Sequence, residues 1–162
     1  MSGAAASPGT KLRAQWERLR ALPFGRALFS CMLGVMIPYS GSIHPYVLEL
    51  APGYAKVQMR DRRAVRNHLR SIHAIALMNL GEITTGLAMT LAMPDGARGI
   101  VTGLSMEYLK KARGLLTAEC TAPAFDATVS AHHDFHADIR DESGDVVARA
   151  TARWLVGPAA TK

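Results

Sequence analysis

Cysteine is scarce in this sequence. Among 162 residues there are two, Cys31 and Cys120, each set among apolar neighbours. No CxxC occurs and no histidine lies at metal-ligand spacing. That pattern excludes a disulfide framework and a zinc ribbon, and it predicts two buried free thiols in a reducing compartment. Long Lys/Arg tracts, zinc-finger spacing and a Gly-Phe-rich strand signature are also missing. Nucleic acid is therefore not an expected partner, although the formal net charge is +6. Neither a Gly-x-Ser-x-Gly elbow nor a Cys-His nucleophile pattern is found, which argues against a serine or cysteine hydrolase. The longest early apolar run, ALFSCMLGVMI, is too short to span a bilayer. The opening MSGAAASPGTKLRAQWERLR puts small residues before charges, the reverse of a secretory signal. A cytoplasmic protein is the expectation.

What is present fits one globular domain. A chain of this length encloses a real core, and 49% hydrophobic with 20% charged residues suits a folded rather than a disordered chain. The basic surplus favours an anionic partner such as a phosphorylated small molecule. Only the first nine residues are of low complexity, and there is no internal repeat.

The order of elements is α+β. Lys11 to Ala21 reads as a helix with Leu12, Trp16 and Leu19 on one side, and Phe24 to Ile37 as a second, more apolar helix ended by Pro38. A basic amphipathic helix followed by an apolar one has the composition of a membrane-surface segment. Packing onto the domain or a second subunit is the more ordinary outcome, so membrane contact by residues 11–37 is not expected. Residues 1–38 then form an N-terminal helical extension and 39–158 the main domain. Within that domain Tyr54 to Arg62 alternates as a strand, and Ser71 to Met93 is a long apolar helix closed by Pro94-Asp95-Gly96. Strand-like runs follow at Gly99–Lys111, Gly114–Ala122, Val129–Arg140 and Val146–Val156, the last two forming a hairpin. Along Val129–Arg140, Phe135, Ala137 and Ile139 share one face while His136, Asp138 and Arg140 share the other. An antiparallel sheet wrapped around one buried helix follows from this order.

The long helix carries one formal charge, Glu82. A lone carboxylate in so apolar a segment must be paired, protonated or put to use. On a helical wheel Ile75, Met78, Asn79, Thr85, Gly86 and Met89 lie within roughly sixty degrees of Glu82. Leu77, Leu80, Leu87 and Leu91 lie opposite, on the side expected to meet the sheet. The Glu82 side, with Asn79 and Thr85 as polar neighbours, looks like the wall of a substrate cleft. A structural Glu paired with an Arg is the alternative. The helix start, in the stretch RNHLRSIHA, offers free backbone N–H groups and the positive end of the dipole, which suit a developing oxyanion. His132, Asp134 and His136 would share a strand face, but without further ligands no metal site is expected.

The string Asn67-x5-His73 followed by Glu82, on a long helix before four strands, resembles the hotdog-fold acyl-CoA thioesterases of the phenylacetate-pathway type. RNHLRSIHAIALMNLGE together with EYLKKARG is similar to an uncharacterised bacterial subgroup of that superfamily. The resemblance runs from about Tyr39 to Val156. It implies a hotdog fold, an acyl-CoA substrate and no cofactor beyond the coenzyme A of that substrate. It also implies a site closed across a homodimer, alone or within a dimer of dimers. Carried over residue by residue, Glu82 would be general base or nucleophile, Asn67 would place water or the thioester, and the Ala74 N–H beside His73 would hold the oxyanion. Lys110, Lys111 and Arg113 would meet the coenzyme A phosphates. The family's His-Gly-Gly is His73-Ala74-Ile75 here. The N–H survives an Ala, but the added side chains narrow the approach. The superfamily also holds proteins that bind acyl chains without catalysis, so a non-catalytic acyl-CoA- or lipid-binding protein stands as the alternative reading.

Overall fold

The structure, a computed structural model, describes residues 7–159. Residues 1–6, most of the low-complexity start, lie outside the described part. Six strands form one antiparallel sheet: β1 (Tyr46–Ala51), β2 (Tyr54–Met59), β3 (Ala97–Tyr108), β4 (Leu116–Thr121), β5 (Ala131–Arg140) and β6 (Val146–Pro158). Their spatial order is β1-β2-β4-β5-β6-β3. Three helices precede the sheet, α1 (Pro8–Arg20), α2 (Gly25–Met36) and the short α3 (Pro38–Gly41), and the long α4 (Ala74–Ala92) lies against it.

Alternation explains the central strands. Phe135, Ala137 and Ile139 are buried, as are Ala148, Ala150 and Ala152 opposite them on β6. Leu77, Leu80 and Leu87 of α4 are buried against this face, with Leu91 partly so. The row of alanines on β6 lets the helix sit close. Gly81 makes the approach possible, because a Cβ there would collide with Ala150 Cβ. By length and composition α4 would suit a membrane span, but most of it is buried inside the protein. It is a core helix.

The structure departs from the sequence reading in three places. A strand, β1, precedes β2 where no strand is predicted. The β1–β2 register shifts between Val47 and Glu49, and this bulge breaks the two-residue period that marks a strand. The helix predicted from Ser71 begins at Ala74, because the Ile72 N–H donates to Ala112 O and the His73 N–H to Val65 O. His73 caps α4, its Nδ1 accepting from the Ile75 N–H at 3.1 Å. Finally, Cys120 is buried, its thiol pushed up to about 12 by desolvation, but Cys31 is exposed. It lies on the outer face of an α2 that buries Phe29 and Leu33 on the other side.

The N-terminal helices are stitched to the rest. Trp16 of α1 packs edge-on against Phe29 of α2, centroids 5.1 Å apart, and both belong to the main core. Ser30 Oγ accepts from the Val47 N–H at 2.8 Å, tying α2 to β1. At the start of α1 the Ser7 N–H and Thr10 hydroxyl donate to Asp95 Oδ1 at 2.8 and 3.0 Å. That anchors α1 to the turn between α4 and β3.

Candidate active site

Glu82 lies mid-way along α4 on the side away from the leucines. It is half-buried, and it has neither an ion pair nor a hydrogen bond to its carboxylate among the described residues. Desolvation alone raises its pKa above the ordinary Glu value. An Arg-paired structural glutamate would show the opposite shift. The carboxylate is thus held in a partly dry place with nothing to neutralise it, the condition of a group kept for chemistry.

Two cavities meet at this side chain. The larger, of about 690 Å³, lies between α4, the α1–α2 pair and the ends of β3 and β6. Leu12, Leu33, Leu87, Met89 and Trp154 give it an apolar lining, and Lys11, Arg98 and Glu82 are its charged groups. Its volume falls in the range of small-molecule sites. The smaller, of about 450 Å³, is bounded by Tyr39, Ile75, Met78, Asn79, Glu82, Val101 and Leu104 and opens beside β3. Glu82 is therefore reachable from two sides, one deep and greasy, the other next to an exposed strand edge.

The remaining expected residues are placed as follows. Asn79 shares the smaller cavity with Glu82 and donates from Nδ2 to Tyr39 O at 3.1 Å. Thr85 is fully buried and donates to the Glu82 carbonyl at 2.9 Å, so it shapes the helix and does not line either cavity. Asn67 Oδ1 accepts from the Leu69 N–H, the Ser71 N–H and the Ser71 hydroxyl at 2.9, 3.2 and 3.2 Å. Its oxygen is consumed in an Asx turn that shapes the approach to α4, leaving only its amide N–H₂ for a ligand. The Ala74 N–H carries no hydrogen bond among the described residues, as an oxyanion donor requires, whereas the Ile75 N–H is taken by His73. Lys110 is already engaged, 2.8 Å from Asp141 and 2.7 Å from Asp145, which hold its pKa up to about 12. Lys111 and Arg113 are exposed.

Ala74 and Glu82 are eight residues apart, about 12 Å along the helix axis. One carbonyl would have to lie about 3 Å from both an oxyanion donor and its attacking group. A single chain does not bring these two together. Side chains that sequence reasoning missed include Trp154, which shares the inward parity of Ala150, Ala152 and Val156 on β6, and Tyr108, whose hydroxyl donates to Ala74 O at 3.3 Å. Leu33, Met36 and Ile37 reach the large cavity only through the docking of α2, for which no local pattern exists. His132, Asp134 and His136 do share a strand face, but Asp134 is held by Arg153 at 2.8 and 3.0 Å. Among the described residues no cluster of metal-ligating side chains occurs.

Residues 25–156 match DUF4442, described as a domain of unknown function. The chain belongs to the DUF4442 family. Among solved structures, one structural-genomics crystal structure with no activity in its name is 32% identical to this DUF4442 chain. It covers 92% of this chain and 99% of its own, with a TM-score of 0.81. A Pseudomonas aeruginosa protein of unknown function, described as a probable thioesterase, is 24% identical over 85% of this chain and 97% of its own, with a TM-score of 0.66. A Haemophilus influenzae thioesterase aligns at 15% identity over 74% and 82%, also with a TM-score of 0.66. The shared architecture is the hotdog fold. No curated protein matches the chain.

Proposed function

We propose that this DUF4442 protein hydrolyses an acyl-CoA thioester with Glu82 as its general base or nucleophile. The observation that carries the reading is the unpartnered, half-buried Glu82 at the junction of two cavities. As a base, the ionised carboxylate takes a proton from water while the hydroxide adds to the thioester carbon. The carbonyl oxygen becomes an oxyanion on the Ala74 N–H, and the carbon–sulfur bond breaks to release the thiolate. As a nucleophile it would form an anhydride with the acyl group, which water then opens. The large apolar cavity suits the acyl chain, and the exposed side near β3 suits the coenzyme.

The 12 Å between Ala74 and Glu82 is resolved by two copies, one lending its helix start and the other its glutamate. β3 supplies a surface for that pairing. It is a twelve-residue edge strand with Ile100, Leu104 and Tyr108 exposed, the kind of edge that seeks a partner. Lys111 and Arg113, exposed and without an ion pair among the described residues, remain for phosphate, a role Lys110 shares only by giving up two aspartates.

One observation favours a second reading, acyl-CoA binding without catalysis. Ile75 stands exposed beside the Ala74 amide where the related motif has glycine, crowding the oxyanion position. Thiol release from a panel of acyl-CoAs separates the two. Hydrolysis lost in Glu82→Gln, by roughly 10²-fold or more, supports the catalytic reading. Undiminished turnover removes Glu82 from the mechanism, and tight binding with no turnover of any thioester favours the second.

A further inference from the structure

We propose that the α1–α2 hairpin docks this protein onto an anionic membrane surface. The hairpin has two unlike faces. Its inner face, with Leu12, Trp16, Phe29 and Leu33, is buried in the core. Its outer face is also apolar, and nothing among the described residues covers it. Phe24 is 89% exposed and Val35 74%, with Leu22 and Leu28 more than half exposed. On α2, Phe24, Leu28, Cys31 and Val35 fall within about 60° of one another, a stripe rather than scattered residues. The backbone at the tip sharpens the point. Phe24 has φ +60°, a left-handed conformation that glycine adopts freely and an aromatic residue does not. The fold holds an exposed apolar ring at the α1–α2 turn in a conformation that disfavours it.

Charge selects the occupant. The tip reads Arg20-Ala-Leu-Pro-Phe-Gly-Arg26, an apolar turn between two arginines. From residue 7 to 45 the chain has five Lys or Arg against one acid, Glu17, so four of the six net positive charges lie in this quarter of the sequence. No carboxylate occurs between Glu17 and Glu49. Glu17 pairs with Arg20 at 2.7 Å, while Lys11, Arg13, Arg18 and Arg26 have no ion pair among the described residues. A second copy docking face to face would bring two like-charged surfaces together. Anionic headgroups complement the same surface, with the rings and leucines entering the acyl boundary and the arginines staying at headgroup level.

The position of the face gives docking a use. Met36 and Ile37, at the end of α2, are exposed too and line the large cavity beside Glu82. A bilayer against this face would lie close to those two cavity-lining residues, where an acyl chain could pass from lipid to protein. That last clause rests on the thioesterase reading; the docking itself does not.

Co-sedimentation of the full chain with phosphatidylcholine vesicles, with and without phosphatidylserine, tests the proposal without any thioester. Binding is expected only to the anionic vesicles, and it should weaken as salt rises. Phe24→Gly should cut partitioning roughly tenfold while leaving the melting temperature unchanged or higher, since glycine relieves the left-handed backbone. Leu28→Ser and Arg26→Gln should each weaken binding with far-ultraviolet circular dichroism unaltered. Failure to bind anionic vesicles overturns the proposal, as does binding that Phe24→Gly retains. A concentration-dependent dimer dissociated by these substitutions, with no vesicle binding, assigns the face to a second copy instead.

Discussion

Two charged regions of this molecule invite comparison. Around Lys110 the charges answer one another: the ammonium meets Asp141 and Asp145, and Asp141 is held below the usual carboxylate range chiefly by that Lys110 hydrogen bond. Around Glu82 no described residue answers, and burial pushes the carboxyl the other way. Both lie in the half of the chain that carries the motif, and both read as functional from sequence spacing. The difference teaches that spacing nominates a residue, while satisfaction of its charge decides whether it is structural or available. A charge whose partners are present lowers the energy of the fold; one left half-dry and alone raises it.

The largest effect that can break this comparison is in turnover. Glu82→Gln should lose hydrolysis by roughly 10²-fold or more, whereas Lys110→Ala should leave kcat unchanged and at most raise KM, read from initial rates on the same acyl-CoA. Next comes the seat of the helix that carries the glutamate. Gly81→Ala would ordinarily favour a helix, but the clash with Ala150 should cost about 1–3 kcal/mol, seen as a lower urea midpoint. A midpoint that rises would mean α4 does not sit against β6 as closely as described.

A subtler separation lies in pH. Glu82 has a folded pKa above its unfolded value, so the folded state binds the proton more readily. Its penalty is absent below the unfolded pKa near 4.5 and grows as pH rises through the higher folded value. Glu82→Gln should therefore melt higher than the wild type at pH 7 and converge with it toward pH 4, by calorimetry. The rate should follow the opposite course, with kcat/KM rising as Glu82 ionises at an inflection above the usual carboxylate range. Convergence in the wrong direction would mean the carboxylate has a partner after all. The smallest effect belongs to Lys110→Ala, which should lower thermal stability slightly and in a salt-sensitive way, as exposed pairs do.

Much of the fold was legible in the sequence because its elements obey simple periods. The Phe135–Ala137–Ile139 alternation identified β5, and the Leu77–Leu80–Leu87 spacing identified the buried side of α4. β1 was not legible, because its bulge between Val47 and Glu49 breaks the period on which a strand is recognised. The later start of α4 was hidden for a related reason. The bonds that keep Ser71 and Ile72 out of the helix run from the Ile72 N–H to Ala112 O and from the His73 N–H to Val65 O, partners that no local period marks. At the candidate site, Glu82 stood out as the one charge in an apolar helix and its side of α4 read as a cleft wall, but the facing walls did not. Its walls come from α1, α2, β3 and β6, whose meeting depends on the anchoring of Ser7 and Thr10 to Asp95 and on Trp16 against Phe29.

By itself, then, the sequence determined that a long apolar helix would be wrapped by an antiparallel sheet and that one carboxylate would ride on it. These are local properties of periodicity and composition. Only the tertiary structure decided that Glu82 forms no ion pair among the described residues, that Lys110 is taken by aspartates 31 and 35 residues away, and that α2 shows apolar surface on both sides. The reason is that charge pairing and burial depend on strand register and helix docking. Those bring together residues that share no period and have no nearness along the chain.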